Sequence, residues 1–317
     1  MILKKILNIL LTMLAVSFLV FLVLEANIDS VAVKVLGQFS TPDQRHAWLL
    51  ENGYLDPFFV RYFRWLGHFI AGDWGISTYY RENVRVLIMP RLAASGILAG
   101  CTLLVLVPIS LFLGIVSGMR EGSALDRSIS VLSIVTTSIP EFASAVFLAA
   151  IFVFGLGWLP GVSTMVSGFE LGQMVLPVTV LVLYSAGYIA RMTRASMVEV
   201  MAAPYIRTAL LKGAPLKRII MRHALRNALI TLITVIMLQI PYLLSGVIVT
   251  EVFFAYQGFG RLLYEAAVNS DIYLVEACAM VSVVVVVVTQ ILSDILYAWL
   301  NPRISFRREP SVAGARA

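Results

Sequence analysis

Charge is scarce in this chain. Asp, Glu, Lys and Arg make up 13% of its 317 residues, against about 25% in an ordinary soluble domain. With 60% hydrophobic residues and a mean hydropathy of +0.90, too little is left to clothe a water-facing surface. Sulfur and imidazole are scarcer still: two cysteines, Cys101 and Cys278, and three histidines, His46, His68 and His223. The cysteines lie in separate apolar runs, so no disulfide framework is implied. The histidines follow no H-E-x-x-H or Cys/His spacing, so no metal site is expected. No G-x-x-x-x-G-K-[ST] phosphate loop occurs, which excludes ATP hydrolysis by that route, and there is no G-x-S-x-G turn. Catalytic residues and cofactor sites are therefore not expected. The net charge of +6 is spread over loops between apolar runs, a pattern of membrane topology and not of nucleic-acid binding.

What the chain has in abundance is long hydrophobic runs. Six are close to the roughly 20 residues that cross a hydrocarbon core, at about 6–24, 96–118, 129–154, 174–191, 229–250 and 274–298. The fold class expected is an all-α membrane protein with six transmembrane helices. The first run follows Lys4 and Lys5 as a signal peptide would. It is longer than a usual signal core, and LEANIDS is a poor cleavage site, so it reads as a retained span. Orientation follows from the short loops. Lys4, Lys5, Arg120, Arg127, eight cations within 191–229, and Arg303, Arg307, Arg308 and Arg316 fall on one side. Arg261 alone falls in the short loops of the other side. Both termini are thus expected inside, with a tail at 301–317 and one long outside loop at about 25–95. Within that loop Phe58, Phe59, Tyr62, Phe63, Trp65, Leu66, Phe69 and Ile70 surround Arg61, Arg64 and His68, as in an amphipathic helix lying in a lipid interface.

The stretch 191–229 is the longest polar interruption of the second half, and Glu199 is its single acid. Pro204 suits a first helical position, Ile206, Ala209 and Leu210 share a face, and Gly213 with Pro215 supplies a stop. A second helix starts near Leu216, with Ile219, Ile220 and Ala224 on one face, and runs into the next span. Residues Tyr205, Arg207, Thr208, Ala209, Lys212 and Gly213, followed by His223, Ala224, Leu225, Arg226, Asn227, Ala228 and Leu229, carry a recognisable pattern. It reads Y-x-R-T-A-x-x-K-G, a spacer, then H-A-L-R-N-A-L. This resembles the cytoplasmic loop of ABC-importer permeases of the dipeptide/oligopeptide/nickel branch. Where that family has a proline soon afterwards, this chain has Thr231.

Three further stretches are similar to the same branch. Gly72-Asp73-Trp74-Gly75-Ile76-Ser77 resembles its G-D-x-G-x-S turn, and also serves as a turn closing the interfacial helix. Ser138-Ile139-Pro140-Glu141-Phe142 resembles S-I-P-x-F. There proline loosens a span and Glu141 lies roughly 18 Å into it, lining a pathway or bonding a neighbouring helix. Gln239 and Pro241 mark another kink. Residues 251–263 resemble E-x-x-F-x-x-x-G-x-G-R-L, in which Glu251, Gly258, Gly260 and Arg261 hold the named places. There the glycines permit tight backbone turns, and a short re-entrant helix fits.

The resemblance implies a type I ABC-importer permease fold, with a transmembrane core at 96–300. It implies that Tyr205, Arg207, Thr208, Ala209, Lys212, Gly213, His223, Arg226 and Asn227 couple to an ATPase. Glu141, Gln239, Glu251, Gly258, Gly260 and Arg261 fall to the pathway or its outer gate. The implied partners are a second homologous permease, two ABC ATPase subunits, an extracytoplasmic solute-binding protein and membrane lipid, with no nucleic acid. Peptides, opines, glutathione or chelated nickel are the substrate classes implied, in a bacterial inner membrane. The alternatives are an ion-gradient-driven secondary transporter, which usually carries internal repeats not visible here, and a membrane enzyme, which needs reactive groups gathered at one depth. The charge asymmetry predicts labelling. With Cys101 and Cys278 replaced, a cysteine at Ser40 will react with a membrane-impermeant thiol reagent in intact cells, and one at Ser123 will not. The reverse pattern overturns the orientation.

Overall fold

The computed structural model describes residues 2–25, 28–166, 168–245 and 247–300. The tail 301–317 lies outside the described residues, as do the side chains of Lys4, Lys5, Lys217, Arg222, His223, Arg226, Asn227 and Asp294. Among the described residues every regular element is helical, apart from one antiparallel bridge between Ile76 and Asn83. The order is α1 (Ile2–Glu25), α2 (Ile28–Leu36), α3 (Pro42–Glu51), α4 (Phe58–Ala71), α5 (Val84–Met119), α6 (Ala124–Ser138) and α7 (Glu141–Ala149). A π-helical turn, Ala150–Gly155, extends α7, and α8 (Leu171–Met201) and α9 (Pro204–Leu211) follow. Then α10 (Leu216–Ile219) passes through a second π-helical turn, Ile220–Ala224, into α11 (Leu225–Ser245). The chain ends with α12 (Ile248–Phe253), α13 (Phe259–Val268) and α14 (Ile272–Leu300).

Among the described residues three helices are long and apolar enough to cross a membrane: α5, α8 and Ile272–Ser293 of α14. The expected span at 129–154 is not one helix. It is α6 and the α7 segment meeting at 99°, and the pair qualifies as a crossing only if taken together. Pro140 explains the break: it cannot donate the next helical hydrogen bond, and it forces Ile139 into an extended conformation (φ −81°, ψ 123°). The expected span 6–24 lies within α1, whereas that at 229–250 is helical to Ser245 and resumes as α12 at Ile248; among the described residues their apolar helical stretches are Leu10–Leu24 and Val235–Leu244. The structure also moves two boundaries. Helix α5 starts at Val84, so the outer segment ends near 83, and α8 runs on to Met201, ten residues into the stretch expected to be loop.

The interior is organised around α5 and α8. Leu98, Leu106, Leu181 and Ile189 form the buried seam between them, with Val235 and Leu243 of α11 packed alongside. Below that seam the backbones approach until only glycine fits. A Cβ on Gly114 would lie 2.5 Å from the Ala190 carbonyl oxygen, and one on Gly118 would lie 2.7 Å from the Met197 Cβ. The spacing is the small-xxx-small pattern by which helices pack without a hydrophobic driving force. Gly187 does the same on another face of α8, where a Cβ would fall on the Ser133 carbonyl of α6. Away from these seams the helices remain apolar yet exposed, as at Leu104, Phe112, Leu132 and Phe147. That surface suits lipid.

The amphipathic character of α4 is observed, with one change. Phe59, Phe63 and Ile70 are exposed, but Arg61 is buried among the aromatics. Its guanidinium lies 5.7 Å from the Phe21 ring centroid and 5.3 Å from that of Tyr54, and donates to the Tyr54 carbonyl at 3.2 Å. The G-D-x-G-x-S turn closes α4 through Gly72 in the left-handed region (φ 82°). Its Ser77 hydroxyl donates to Asp271 at 2.5 Å, joining the turn to the start of α14.

The glycine seam yields a stability prediction. Gly114→Val forces α5 and α8 apart and costs about 3 kcal/mol or more. Gly96→Ala, on the same helix where nothing lies within 4 Å, leaves stability near the parent value. Thermal unfolding of the detergent-solubilised protein compares the two, and equal melting temperatures would refute the close approach.

Candidate functional site

The basic stretch is built in two tiers. Its first arginines, Arg191 and Arg194, stand on the helical end of α8. Arg194 clasps Asp126 with two bonds, Nε to Oδ1 at 2.6 Å and Nη2 to Oδ2 at 2.8 Å. Asp126 also accepts the Ser117 hydroxyl at 2.5 Å and the Gly122 amide at 2.9 Å, while its own amide donates to the Ser123 hydroxyl at 3.1 Å. A nearly buried carboxylate so saturated ties α5, α6 and α8 at one end of the bundle. Sequence reasoning missed this latch. The signal available was Ser123-Ala124-Leu125-Asp126, the S-x-x-D form of a helix start, but not its partner 68 residues away.

The second tier is α9. Pro204 opens it, the Thr208 hydroxyl donates to the Pro204 carbonyl at 3.0 Å, and its end is a Schellman motif. The Gly213 amide donates to Leu210 at 3.0 Å and the Ala214 amide to Ala209 at 3.2 Å. Gly213 has φ +74°, the conformation its place as a stop requires, with nothing within 4 Å of a would-be Cβ. Ile206 is fully buried against Met197, Ile219, Ile220, Ala224, Ala228 and Leu232, so one short helix is seated on α8 and α11. Ala209 joins that face, but Leu210 does not: it is 47% exposed. Leu210 lies about 100° around the helix from Ala209 and projects past the contact. Tyr205, Arg207, Thr208, Leu211 and Lys212 are exposed. The side chains of His223, Arg226 and Asn227 lie outside the described residues.

At the opposite end, four of the six expected pathway residues form one knot. Glu251 is 1% exposed; it accepts the Ser95 hydroxyl at 2.5 Å and the Arg261 amide at 2.9 Å. Ser95 in turn accepts the Phe259 amide at 2.8 Å. Arg261 donates to Glu265 at 2.7 Å and to the Ala255 carbonyl at 2.7 Å. Gly258 closes a tight turn, its amide donating to the Tyr256 carbonyl at 2.8 Å, but its own backbone does not require glycine. Its φ of −94° and ψ of 178° are extended, and the demand for glycine is spatial, because a Cβ there would fall on the Glu251 carboxylate. Gly260, within α13, is likewise a point of close approach, 3.0 Å from Ile248 and 3.1 Å from Glu251 for a would-be Cβ. Beside the knot, burial and the Glu265 carboxylate push the Tyr80 phenol up to about 12.

Glu141, at the break between α6 and α7, accepts the Tyr242 hydroxyl at 3.0 Å and the Thr250 hydroxyl. It therefore bonds neighbouring helices. Gln239 stands apart from all of these, in a cavity of about 400 Å³ with Thr137, Tyr184, Ser185, Tyr188, Arg191 and Tyr242. A cavity of about 210 Å³ lies between α4 and α14.

A helical bundle with an apolar exposed surface, a seated short helix at one end and a carboxylate knot at the other is that of a multi-pass membrane protein. Residues 110–306 match the model of the binding-protein-dependent transport system inner membrane component family. The oligopeptide transport system permease protein AppB of Bacillus subtilis is 32% identical over 301 residues, covering 93% of this chain and 95% of that one. The dipeptide transport system permease protein DppB of Escherichia coli K12 is 32% identical over 302 residues, covering 86% and 88%. The chain belongs to the family of inner-membrane components of binding-protein-dependent transport systems.

The knot predicts a non-additive pair. Gly258→Ala displaces the Glu251 carboxylate from Ser95 and costs about 1–3 kcal/mol. In a Glu251→Ala background the same change costs far less, because the clash is gone. Thermal unfolding of the two singles and the double reads the cycle; fully additive losses would remove Glu251 as the reason for Gly258.

Proposed function

We propose that this chain is one of two permease subunits of an ATP-driven importer of peptides in a bacterial inner membrane. In this reading six spans cross the membrane with both termini inside, and α1 and α11 complete the set begun by α5, α6–α7, α8 and α14. A second homologous permease supplies the other half of the pathway. Two ABC ATPase subunits dock beneath, and an extracytoplasmic binding protein delivers the solute from outside. Peptides are the substrate named for AppB and DppB, and this chain matches each over nearly all its length.

The observation that carries the reading is the seating of α9. Ile206 fastens it to the inner ends of α8 and α11, Gly213 stops it, and Tyr205, Arg207, Thr208 and Lys212 face outward. A short helix gripped on one side and presented on the other is a lever. An ATPase that holds the outward face and closes on ATP moves the helices to which Ile206 is fastened, alternating access between the two sides. The Arg194–Asp126 latch keeps α5, α6 and α8 moving as one body. Arg207 and Lys212 suit carboxylates of the partner.

Gly213→Val tests it. A β-branched residue is strained at φ +74°, so the Schellman end unwinds and the outward face is lost. Gly213→Asn, which tolerates that conformation, keeps it. The Val variant will insert and hold its partner permease, yet capture the ATPases at least about tenfold more weakly, a loss of about 1.4 kcal/mol. Pull-down from the purified permease pair, beside substrate-stimulated ATP hydrolysis, is the measurement. Undiminished capture and coupling by the Val variant would sink the assignment of 204–213.

A further inference from the structure

Every residue that lines the cavity of about 400 Å³ between α6, α8 and α11 carries a polar group. Its lining is Thr137, Tyr184, Ser185, Tyr188, Gln239 and Tyr242, with Arg191 as the charged member and no carboxylate. Arg191 and Arg194 stand on the same helix, one turn and about 4.5 Å apart. Arg194 has the Asp126 carboxylate in its grip. Arg191 has no carboxylate within 4.0 Å among the described residues; its Nε bonds weakly to the Gly187 carbonyl of its own helix at 3.3 Å. A cation on a helix long enough to cross a membrane calls for a counter-charge or a water-filled path.

A second observation points the same way. Ser185, 3% exposed and on the cavity wall, has a buried hydroxyl with no hydrogen-bond partner among the described residues. Buried hydroxyls without partners are costly and uncommon, and this one lies just behind the cavity wall, where rotation about χ1 would bring it to an occupant. Beside it on α8, Tyr184 stacks on Tyr242 of α11 at 5.9 Å, giving aromatic faces and phenol edges that accept varied side chains. The walls offer hydrogen bonds and rings with few alkyl groups, which fits a peptide better than an acyl chain. The absence of acids among the lining residues disfavours a cationic ligand.

We infer that this cavity is a transit subsite in which Arg191 receives the C-terminal carboxylate of a passing peptide while Ser185, Gln239 and the tyrosines contact its backbone. The inference rests on the peptide-importer reading above and deepens it. One cation suffices for such a role, since a transit site must release what it holds. Tyr242 gives the subsite a mechanical connection: its ring lines the cavity, and its hydroxyl bonds Glu141 at the α6–α7 break. Occupancy is thus felt where the bundle bends.

The test uses the whole complex of permease pair and ATPases in zwitterionic nanodiscs, without the binding protein. The probes are a photoreactive tripeptide, alanine–benzoylphenylalanine–alanine, as free acid and as C-terminal amide. The free acid will label α8 and α11 about tenfold more than the amide, the preference expected of a charge-assisted bond. Arg191→Gln will abolish that preference and Arg191→Lys will keep most of it, with equal ATPase capture in all three showing intact assembly. Acid and amide labelling alike, or Arg191→Gln behaving as the parent, overturns the inference. So does acid labelling that disappears when phosphatidylglycerol replaces part of the lipid, which makes Arg191 a lipid-phosphate contact. Failure of the peptide-importer reading is seen separately: cells carrying the full importer, and lacking other peptide uptake, would then import no di- to hexapeptides.

Discussion

The close approach of α5 and α8 is the constraint on which the rest depends. In a lipid environment helices gain nothing by hiding apolar side chains from their surroundings, so the attraction must come from contact distance and polar bonds. Gly114 and Gly118 provide the first, and the Ser117–Asp126–Arg194 cluster provides the second a turn further on. Gly187 brings α6 onto a further face of α8. With α5, α6 and α11 all fixed to it, α8 becomes the frame from which the functional parts hang. The helix α9 follows it directly, and Arg191, Tyr184 and Tyr188 of the cavity belong to it.

The two ends of this frame solve different problems. At the knot, Glu251 gathers Ser95, the Arg261 amide and the close backbone of Gly258 into a dense, fully buried cluster. Such a cluster holds one geometry, because displacing any member leaves a buried carboxylate short of partners. The other end is gripped by Ile206 and a rim of alanine and isoleucine, contacts that slide more readily than hydrogen bonds break. A polar cluster at one end and an apolar seat at the other are compatible with the proposed transport cycle. Glu141, Tyr242 and Thr250 form the bridge between them, at the bend that Pro140 enforces.

Much of this was legible in the linear chain. The helical class, the amphipathic character of α4, the start of α9 at Pro204 and its end at Gly213 follow from short-range rules: hydrophobic period, proline's missing donor and glycine's tolerance of positive φ. Where reasoning failed, it failed on distance in space. Glu141 could be read as pathway lining or as a helix-to-helix bond, and only the placement of Tyr242 and Thr250 supplied the partners for the bond. Gly258 was legible as an obligatory glycine but for the wrong reason. The obstacle is the Glu251 carboxylate lying over it, not its own φ.

By itself the sequence determined that this is a helical membrane protein, where its loops are basic, where α9 begins and ends, and which family's patterns it carries. Each of these depends on neighbours within a few residues, whose effects are local and additive. The tertiary structure alone decided that Arg194 is paired and Arg191 is not, that Arg61 is buried, that α6 and α7 are two helices at 99°, and that Gln239 shares a cavity with three tyrosines. Two arginines three residues apart on one helix are equivalent to any local rule. They differ because three residues carry the chain about 4.5 Å along the axis and leave the two side chains about 60° apart around it, and what each meets there belongs to another helix.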